Sequence, residues 1–302
     1  MKNILIVGYG SIGRRHADIM SSLKQSVFLV TQQNNSNYIC YSSVADALMQ
    51  NKFDYIVIAN PTHLHAETLR DIVSNNFCGT LLIEKPLFST PVVFDNVHHL
   101  PIFVGYNLRF HPVLQRLKEI LIDEKIISFS VRVGQYLPTW RSQVDYRDCY
   151  SAKKNQGGGV LRDLSHELDY ATWLCGDCLE VTALGGTWSE LEIDSDDTYS
   201  MLMRCEQAPV VMIHMDYLSR VKTRKMIVQT QKHTIFADLI QNCLSIDGCE
   251  EKFHPIDTYV SQHQAILLND YQHLCSYFQG AKMVRLIDAI ERANEKRQWI
   301  SL

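Results

Sequence analysis

The chain reads as an α/β protein: an open, doubly wound parallel sheet over residues 1–121, then an α+β domain with a large, mostly antiparallel sheet over 122–302. Three observations predict this. The apolar run Ile4-Leu5-Ile6-Val7 leads straight into Gly8-Tyr9-Gly10-Ser11-Ile12-Gly13. Short, continuous apolar runs then alternate with helix-like segments as far as residue 121, the texture of strands buried on both faces. Beyond Ile126 the runs alternate apolar with polar, as half-buried antiparallel strands do. A length of 302 residues suits two domains of roughly 150 each. The last helices are free to pack back on the first domain.

Taken in order, the glycine run sits between a terminal strand and a helix expected over 14–23. In that place each glycine has a task. Gly8 permits a tight turn, Gly10 lets the backbone approach a pyrophosphate, and Gly13 lets helix pack on strand. The amides that open the helix, at Ser11 and Ile12, then face phosphate charge. This is the Rossmann arrangement, and the cofactor expected is NAD or NADP. The second strand, 27–30, ends in Thr31-Gln32-Gln33, with no acidic residue between Asp18 and Asp46. A carboxylate there would accept the ribose hydroxyls of NAD. Its absence tilts the expectation toward NADP, with Arg14 or Arg15 to reach a 2′-phosphate.

A helix over 43–50 and a strand over 55–59 lead to Asn60, Pro61 and Thr62, with His65 opening a helix over 66–74. Residues at a strand's carboxyl end lie on the ligand side of an open parallel sheet. These four are therefore cofactor candidates, although His63 and His65 serve equally well to cap or pack the helix. The strand 81–83 delivers Glu84, Lys85 and Pro86 to the same edge. Pro86 biases Lys85 toward an extended backbone and so aims its side chain. A cation there can hydrogen-bond a reacting hydroxyl and stabilise a developing alkoxide. A strand over 102–104 and a helix over 112–121 close the domain.

The second domain is expected to have strands near 126–133, 179–187, 198–205, 209–216, 225–231 and 234–238. One long helix, 160–174, interrupts them behind Gly157-Gly158-Gly159, and helices near 262–279 and 284–299 finish the chain. Asp163, His166 and Asp169 fall on the 160–174 helix, where acids near an N-terminus also serve as simple stabilisers. The segment Tyr136 to Arg141, continued by Tyr146, Arg147 and Tyr150, is rich in aromatics and arginine. Such a set can stack on a sugar face and pair with carboxylate or phosphate. Arg109, Trp140, Arg141 and Tyr146 are the substrate-binding candidates, against a plain loop packed by its own rings.

Composition narrows the function classes. The net charge of −4, with basic residues scattered rather than striped, gives no support for nucleic-acid binding. The pair Arg14-Arg15 and the cluster 222–225 read as solvated surface. No run approaches the roughly 18 apolar residues of a membrane helix, and the opening strand is no signal peptide. A cytoplasmic protein with reduced thiols is expected. Nine cysteines lack paired spacing. Cys175-Gly176-Asp177-Cys178 has no second pair to complete a zinc site, so no metal is expected.

This order of motifs resembles the Gfo/Idh/MocA family of nicotinamide-dependent oxidoreductases over nearly the whole chain. The marks are the glycine turn, Glu84-Lys85-Pro86, the stretch 105–112, and the run from Gly157 to Asp169. The resemblance implies reversible hydride transfer between nicotinamide C4 and a carbinol or carbonyl carbon of a sugar, polyol or sugar derivative; the segment Tyr136 to Tyr150, if it binds substrate, points to an anionic or nucleotide-linked sugar. It implies Lys85 as hydrogen-bond donor to the reacting oxygen, His166 as general acid–base and Asp163 as orienter of the imidazole. The family commonly spaces that Asp and His four apart. Here they are three apart, which on one helix still leaves them on one face. Homodimers or homotetramers are a family expectation. Two alternatives stand beside this one: a reductase of a non-sugar ligand, as among the related biliverdin reductases, and a dinucleotide-binding regulator without turnover.

Overall fold

A computed structural model describes residues 1–33, 37–94, 97, 99–140 and 144–302. They divide into two compact units, Met1–Asn107 with Asp257–Val284, and Leu108–Ile256 with Arg285–Leu302. The first unit opens with β1 (Asn3–Val7), α1 (Ser11–Ser22), β2 (Ser26–Val30), β3 (Ile39–Tyr41), α2 (Val44–Gln50), β4 (Tyr55–Ile58), α3 (His65–Ser74), β5 (Thr80–Ile83) and β6 (Ile102–Val104). The second contributes α4 (Pro112–Leu121), β7 (Ile126–Gly134), α5 (Leu137–Trp140), α6 (Val160–Asp163), α7 (His166–Cys175), β8 (Cys178–Gly186) and β9 (Thr198–Cys205). It continues with β10 (Val210–Asp216), β11 (Thr223–Thr230), β12 (Thr234–Asp238), β13 (Cys243–Ile246) and β14 (Cys249–Lys252). The chain then returns to the first unit through α8 (Thr258–Leu268), β15 (Cys275–Ser276) and the start of α9 (Tyr277–Lys296), and it ends in the second with β16 (Ile300–Ser301).

The first unit is built on a sheet of order β15-β6-β5-β4-β1-β2-β3, parallel except for β15. β1 and β4 lie at its centre, and Ile4, Leu5, Ile6, Ile56, Val57 and Ile58 are fully buried. That is why their sequences are continuous rather than alternating apolar runs. Because β1, β4 and β5 run parallel in adjacent positions, their carboxyl ends share one edge. Two of the helices of this unit begin on a capping side chain. Ser43 Oγ accepts from Asp46 N at the start of α2, and Asp257 accepts from Tyr259 N and Val260 N at the start of α8.

The second unit carries a sheet of order β14-β13-β12-β11-β7-β10-β9-β8-β16. Its pairings are antiparallel apart from β7 with β10. Burial alternates along β9 and β11, one face inward and one outward. The register aligns Phe236, Ile227, Ser130, Met212 and Leu202 in one row across five strands. The four apolar members of that row are 36–50% exposed. No helix among the described residues is long and apolar enough to cross a membrane.

Two helices depart from expectation. The continuous helix expected over 160–174 is broken into α6 and α7. Leu164 takes φ −97 and ψ 26, and Ser165 N and Glu167 N bond three residues back, to Arg162 O and Leu164 O, instead of four. Asp163 and His166 are therefore not on one helix face; Asp163 ends α6 and His166 begins α7. The helix expected over 262–279 begins earlier, at Thr258, and ends at Asn269, whose φ of 58 is left-handed. Asp270 N bonds back to Ala265 O, closing the helix in the manner of a Schellman turn. Short β15 and the long α9 follow, so the pattern conceals a stop at a single asparagine.

Candidate functional site

The carboxyl edge of the first unit's sheet carries most of the cofactor candidates. Gly8 follows β1 with φ +96, and a Cβ there would lie 2.6 Å from Asn60 N. A Cβ at Gly13 would lie 2.0 Å from Gly8 O, so α1 rests directly on the turn before it. A Cβ at Gly10 would meet nothing within 4 Å. Gly8 and Gly13 are thus required by the fold for different reasons, and the turn is open on the side of Gly10. Gly10 is the N-cap of α1 and supplies no capping side chain, and no acid stands in the first turn. The amides of Ser11 and Ile12 open the helix with its positive end exposed to an outside anion. These features fit a dinucleotide pyrophosphate.

Around that turn, Thr31 follows β2, donates from its backbone to Tyr41 O, and accepts from Gln33 N at 3.1 Å. Arg14 donates to Gln33 Oε1 at 3.0 Å, which places a cation beside this strand end. Asn60 donates to Thr68 Oγ1, while its Oδ1 is buried and finds no donor among the described residues. Pro61 precedes a single 3-10 turn, Thr62–Leu64, and His65 follows it. The His65 ring is buried between Asn60 O at 2.9 Å and Leu87 O at 3.1 Å. Burial outweighs these carbonyls and lowers its pKa. A neutral ring donates through one nitrogen only, so one contact is a hydrogen bond and the other a close approach. His65 ties the loops after β4 and β5 together.

Glu84 follows β5 with its carboxylate buried, and Lys85, half-buried, comes next through a cis peptide to Pro86. Glu84 accepts from His16 Nε2 at 2.9 Å and from Lys85 N at 3.2 Å. A Cβ at Gly105 would lie 2.9 Å from Glu84 Oε1, so that glycine makes room for the carboxylate. Burial acts to raise the Glu84 pKa, but the His16 hydrogen bond and the charges of His16 and Lys85 outweigh it and hold it below the usual range.

In the second unit, Asp163 is 7% exposed and is held by two phenols. Tyr217 donates to Oδ2 at 2.6 Å and Tyr150 donates to Oδ1. His166 opens α7 and is 9% exposed. Arg109 is 3% exposed, and its guanidinium grips Asp169 by two bonds of 2.9 and 2.7 Å. The same guanidinium lies over the Trp173 ring. Asp169 thus does more than stabilise the first turn of α7. Trp140 meets Tyr217 edge-on at 5.6 Å, and with Leu137, Val144, Tyr146, Cys149 and Ser151 it lines a small pocket. Arg147 is drawn into ion pairs with Asp145 and Glu192. Arg141, a substrate candidate, lies outside the described residues. The cluster 222–225 is not uniformly solvated surface: Arg224 pairs at 2.7 Å with the fully buried Glu167. A basic cluster in sequence gave no sign of an acid 57 positions away.

Sequence reasoning passed over His16, Tyr55 and His263, which form a buried chain behind Glu84, and over Tyr217. His16 carried a faint signal, since it falls on the buried face of α1 three residues after Gly13. His263 carried none.

Comparison with known proteins finds family matches in both units. The description "Oxidoreductase family, NAD-binding Rossmann fold" matches residues 2–100, and "GFO/IDH/MocA C-terminal domain" matches residues 118–236. Glucose-6-phosphate 3-dehydrogenase of Bacillus subtilis (strain 168) is 25% identical over 192 residues, covering 57% of this chain and 53% of the relative. The chain spans between about half and two thirds of the length of the curated relatives it matches. The WlbA dehydrogenase from Bordetella pertussis, solved with NADH and UDP-GlcNAcA, superposes with a TM-score of 0.81 at 20% identity, over 100% of this chain and 98% of that one. Levoglucosan dehydrogenase in complex with NADH superposes at 0.83 and 17%, over 99% and 98%. With a glycine turn matched as an NAD-binding Rossmann domain and a sheet-rich unit matched as the partner domain, the chain belongs to the Gfo/Idh/MocA oxidoreductase family.

Proposed function

We propose that the protein is a nicotinamide-dependent dehydrogenase acting on a carbinol carbon of a sugar derivative that is anionic or nucleotide-linked. The observation that carries this reading is Lys85 at the carboxyl end of β5, on the same sheet edge as the open glycine turn. The bound dinucleotide would accept or return a hydride at its nicotinamide. The chain would supply the rest. The α1 amides and Gly10 bind the pyrophosphate, and Asn60, Pro61 and Thr62 line the path beyond it. The orphaned Asn60 Oδ1 suits an amide donor such as a carboxamide. Lys85 donates to the reacting oxygen, and His166 takes or returns the hydroxyl proton. Asp163, fixed by Tyr150 and Tyr217, presents a charge whose place does not depend on substrate.

Anionic substrate chemistry draws support from Arg220, exposed and stacked 3.5 Å above the Tyr136 ring. The names of relatives point the same way, one acting on glucose-6-phosphate and one solved with UDP-GlcNAcA. Trp140 and Tyr146 remain the stacking candidates. Arg109 does not enter the contact set, because Asp169 engages its guanidinium. NADP is favoured over NAD by the uncharged Thr31-Gln32-Gln33 and by Arg14 beside them. The exposed apolar row of the large sheet is the surface for homodimer formation.

The test is nicotinamide absorbance with NAD(H) and NADP(H) across free, phosphorylated and nucleotide-linked sugars. Lys85→Ala and His166→Ala are expected to bind the dinucleotide and to lose roughly 10²- to 10⁴-fold in turnover. Undiminished turnover in either variant removes its assigned role. Silence of the wild type with dinucleotide binding intact favours a non-sugar ligand or a regulator.

A further inference from the structure

Behind Glu84 lies a chain of three buried polar groups that the reaction above does not use. His16, on α1, places Nε2 2.9 Å from Glu84 Oε1 and Nδ1 2.7 Å from His263 Nε2. His263, on α8, places Nδ1 2.9 Å from the hydroxyl of Tyr55, the first residue of β4. His16 and His263 are fully buried, Tyr55 is 1% exposed and Glu84 is 6% exposed.

Hydrogen-bond chemistry gives this chain a direction. An ionised carboxylate only accepts, so His16 Nε2 donates to it. In the neutral form of its ring, His16 accepts at Nδ1 from His263 Nε2, and His263 in turn accepts at Nδ1 from the Tyr55 hydroxyl. Every ring nitrogen is used once. Shifting the protons along the chain would protonate Glu84 and leave a phenolate at Tyr55. Burial first, and then the Glu84 charge, push the Tyr55 hydroxyl well above its usual range, which opposes that state. Burial, with a smaller contribution from His16, pushes His263 well below its usual range and keeps its ring neutral. The groups that face Glu84 are His16, Lys85, Tyr55 and, from α3, His65.

We propose that His16, His263 and Tyr55 are positioning residues: through a one-way series of hydrogen-bond donors they hold the Glu84 carboxylate fixed and charged behind Lys85. This rests on the catalytic reading of Lys85 given above. Glu84 has one oxygen on His16, the other on Lys85 N, and Gly105 leaves no side chain to displace it. A carboxylate so confined sets both the backbone position and the electrostatic surroundings of the Lys85 amine. The third member of the series, His263, is carried by α8, which the chain reaches only after completing most of the second unit. The lysine is thereby made to depend on a helix 178 residues further along the sequence, by the distance from Lys85 to His263.

The experiment reads Lys85 itself. The wild type and the variants Tyr55→Phe, His263→Gln and His16→Gln are labelled with acetic anhydride across a pH series, and the Lys85 peptide is quantified by mass spectrometry. Tyr55→Phe removes one oxygen and keeps the ring, and His16→Gln keeps a donor toward Glu84, so folded protein, checked by circular dichroism, carries the measurement. The midpoint of Lys85 labelling is expected to move by about half a pH unit or more in the variants. The pH profile of kcat should move with it, kcat falling about tenfold while the dinucleotide KM holds. Labelling midpoints and rates equal to wild type in the folded variants would overturn the proposal. Labelling that shifts while turnover and its pH profile stay put would leave the positioning series standing and remove the catalytic role of Lys85.

Discussion

The Tyr217 hydroxyl donates a 2.6 Å hydrogen bond to Asp163 Oδ2, joining β10's end to the last residue of α6 across 54 positions of sequence. Burial first, then the Asp163 charge, push the Tyr217 hydroxyl far above its usual range, so it remains a donor. Tyr217→Phe leaves a buried carboxylate oxygen one donor short while keeping the edge-on contact with Trp140. The expected loss is about 2 kcal/mol in urea denaturation. Tyr150 is 39% exposed, so water can take its place and Tyr150→Phe should lose less. Equal losses in the two variants would contradict this account of Asp163.

Gly10 and Gly13 separate binding from folding. Ala at Gly10 enters open space with φ −74, a conformation any residue adopts. Gly10→Ala should keep the wild-type Tm and weaken dinucleotide binding at least about tenfold, or 1.4 kcal/mol. Ala at Gly13 would collide with Gly8 O, and backbone must shift. Gly13→Ala should lose about 1–3 kcal/mol of stability or more. Calorimetry of both variants, with and without NADP, distinguishes the two effects.

Arg109 and Asp169 are buried together, 3% and 2% exposed at their side chains. Removing one partner strands the other's charge, so Arg109→Ala should lose roughly 3–5 kcal/mol. The apolar double variant Arg109→Met with Asp169→Leu should recover most of that. A substrate ligand would behave differently: Arg109→Ala would keep its unfolding midpoint and raise KM alone.

Local, contiguous features were the legible part of this protein. The glycine turn states its chemistry within a few residues and is matched as an NAD-binding Rossmann domain, Glu84-Lys85-Pro86 follows β5 as its pattern predicts, and α4, β9 and β12 lie where their patterns place them. The break at Leu164 was hidden because Leu161, Leu164 and Leu168 continue a helical apolar spacing through it. Nothing local marks the phenols that hold Asp163, since Tyr217 is contributed by a strand's end 54 residues on. The His16–His263 contact spans 247 residues, and only the fold brings it together.

The row formed by Phe236, Ile227, Met212 and Leu202 is expected to be covered by a second copy of the chain. Four exposed apolar residues in one row across five neighbouring strands, broken only by Ser130 on β7, form a longer stripe than scattered surface residues require. Ile227 and Phe236 are directly paired across β11 and β12, 41% and 50% exposed. Ile227→Asp with Phe236→Asp should convert the oligomer to monomer in light scattering, with the far-ultraviolet circular dichroism unchanged. A wild type already monomeric at micromolar concentration would remove this interface.

His111 and Asp196 oppose each other in acid. His111 precedes α4, accepts from Val113 N at Nδ1 and stands 3.2 Å from Leu239 O at Nε2. Burial, with the Arg224 charge, holds its pKa down to about 4. Unfolded His titrates near 6.5, so below that pH the unfolded chain binds the extra proton. Stability from His111 is therefore full above about pH 6.5 and declines toward pH 4, by roughly 3 kcal/mol at the limit. Asp196 accepts from Leu161 N at the start of α6, and Gly159 leaves room for its carboxylate. Burial pushes it up to about 6, with Glu291 and Asp163 adding to the rise. Its contribution has the opposite sign, full below about pH 4 and lost as pH rises through 6. The two cancel over that window, and the wild type should show a shallow dependence. Asp196→Asn should leave stability that climbs steeply from pH 4 to 6.5, and His111→Gln stability that falls over the same range. Urea midpoints at about pH 4.5, 5.5 and 6.5 measure this. Parallel curves for the three proteins would mean that neither group is buried as described.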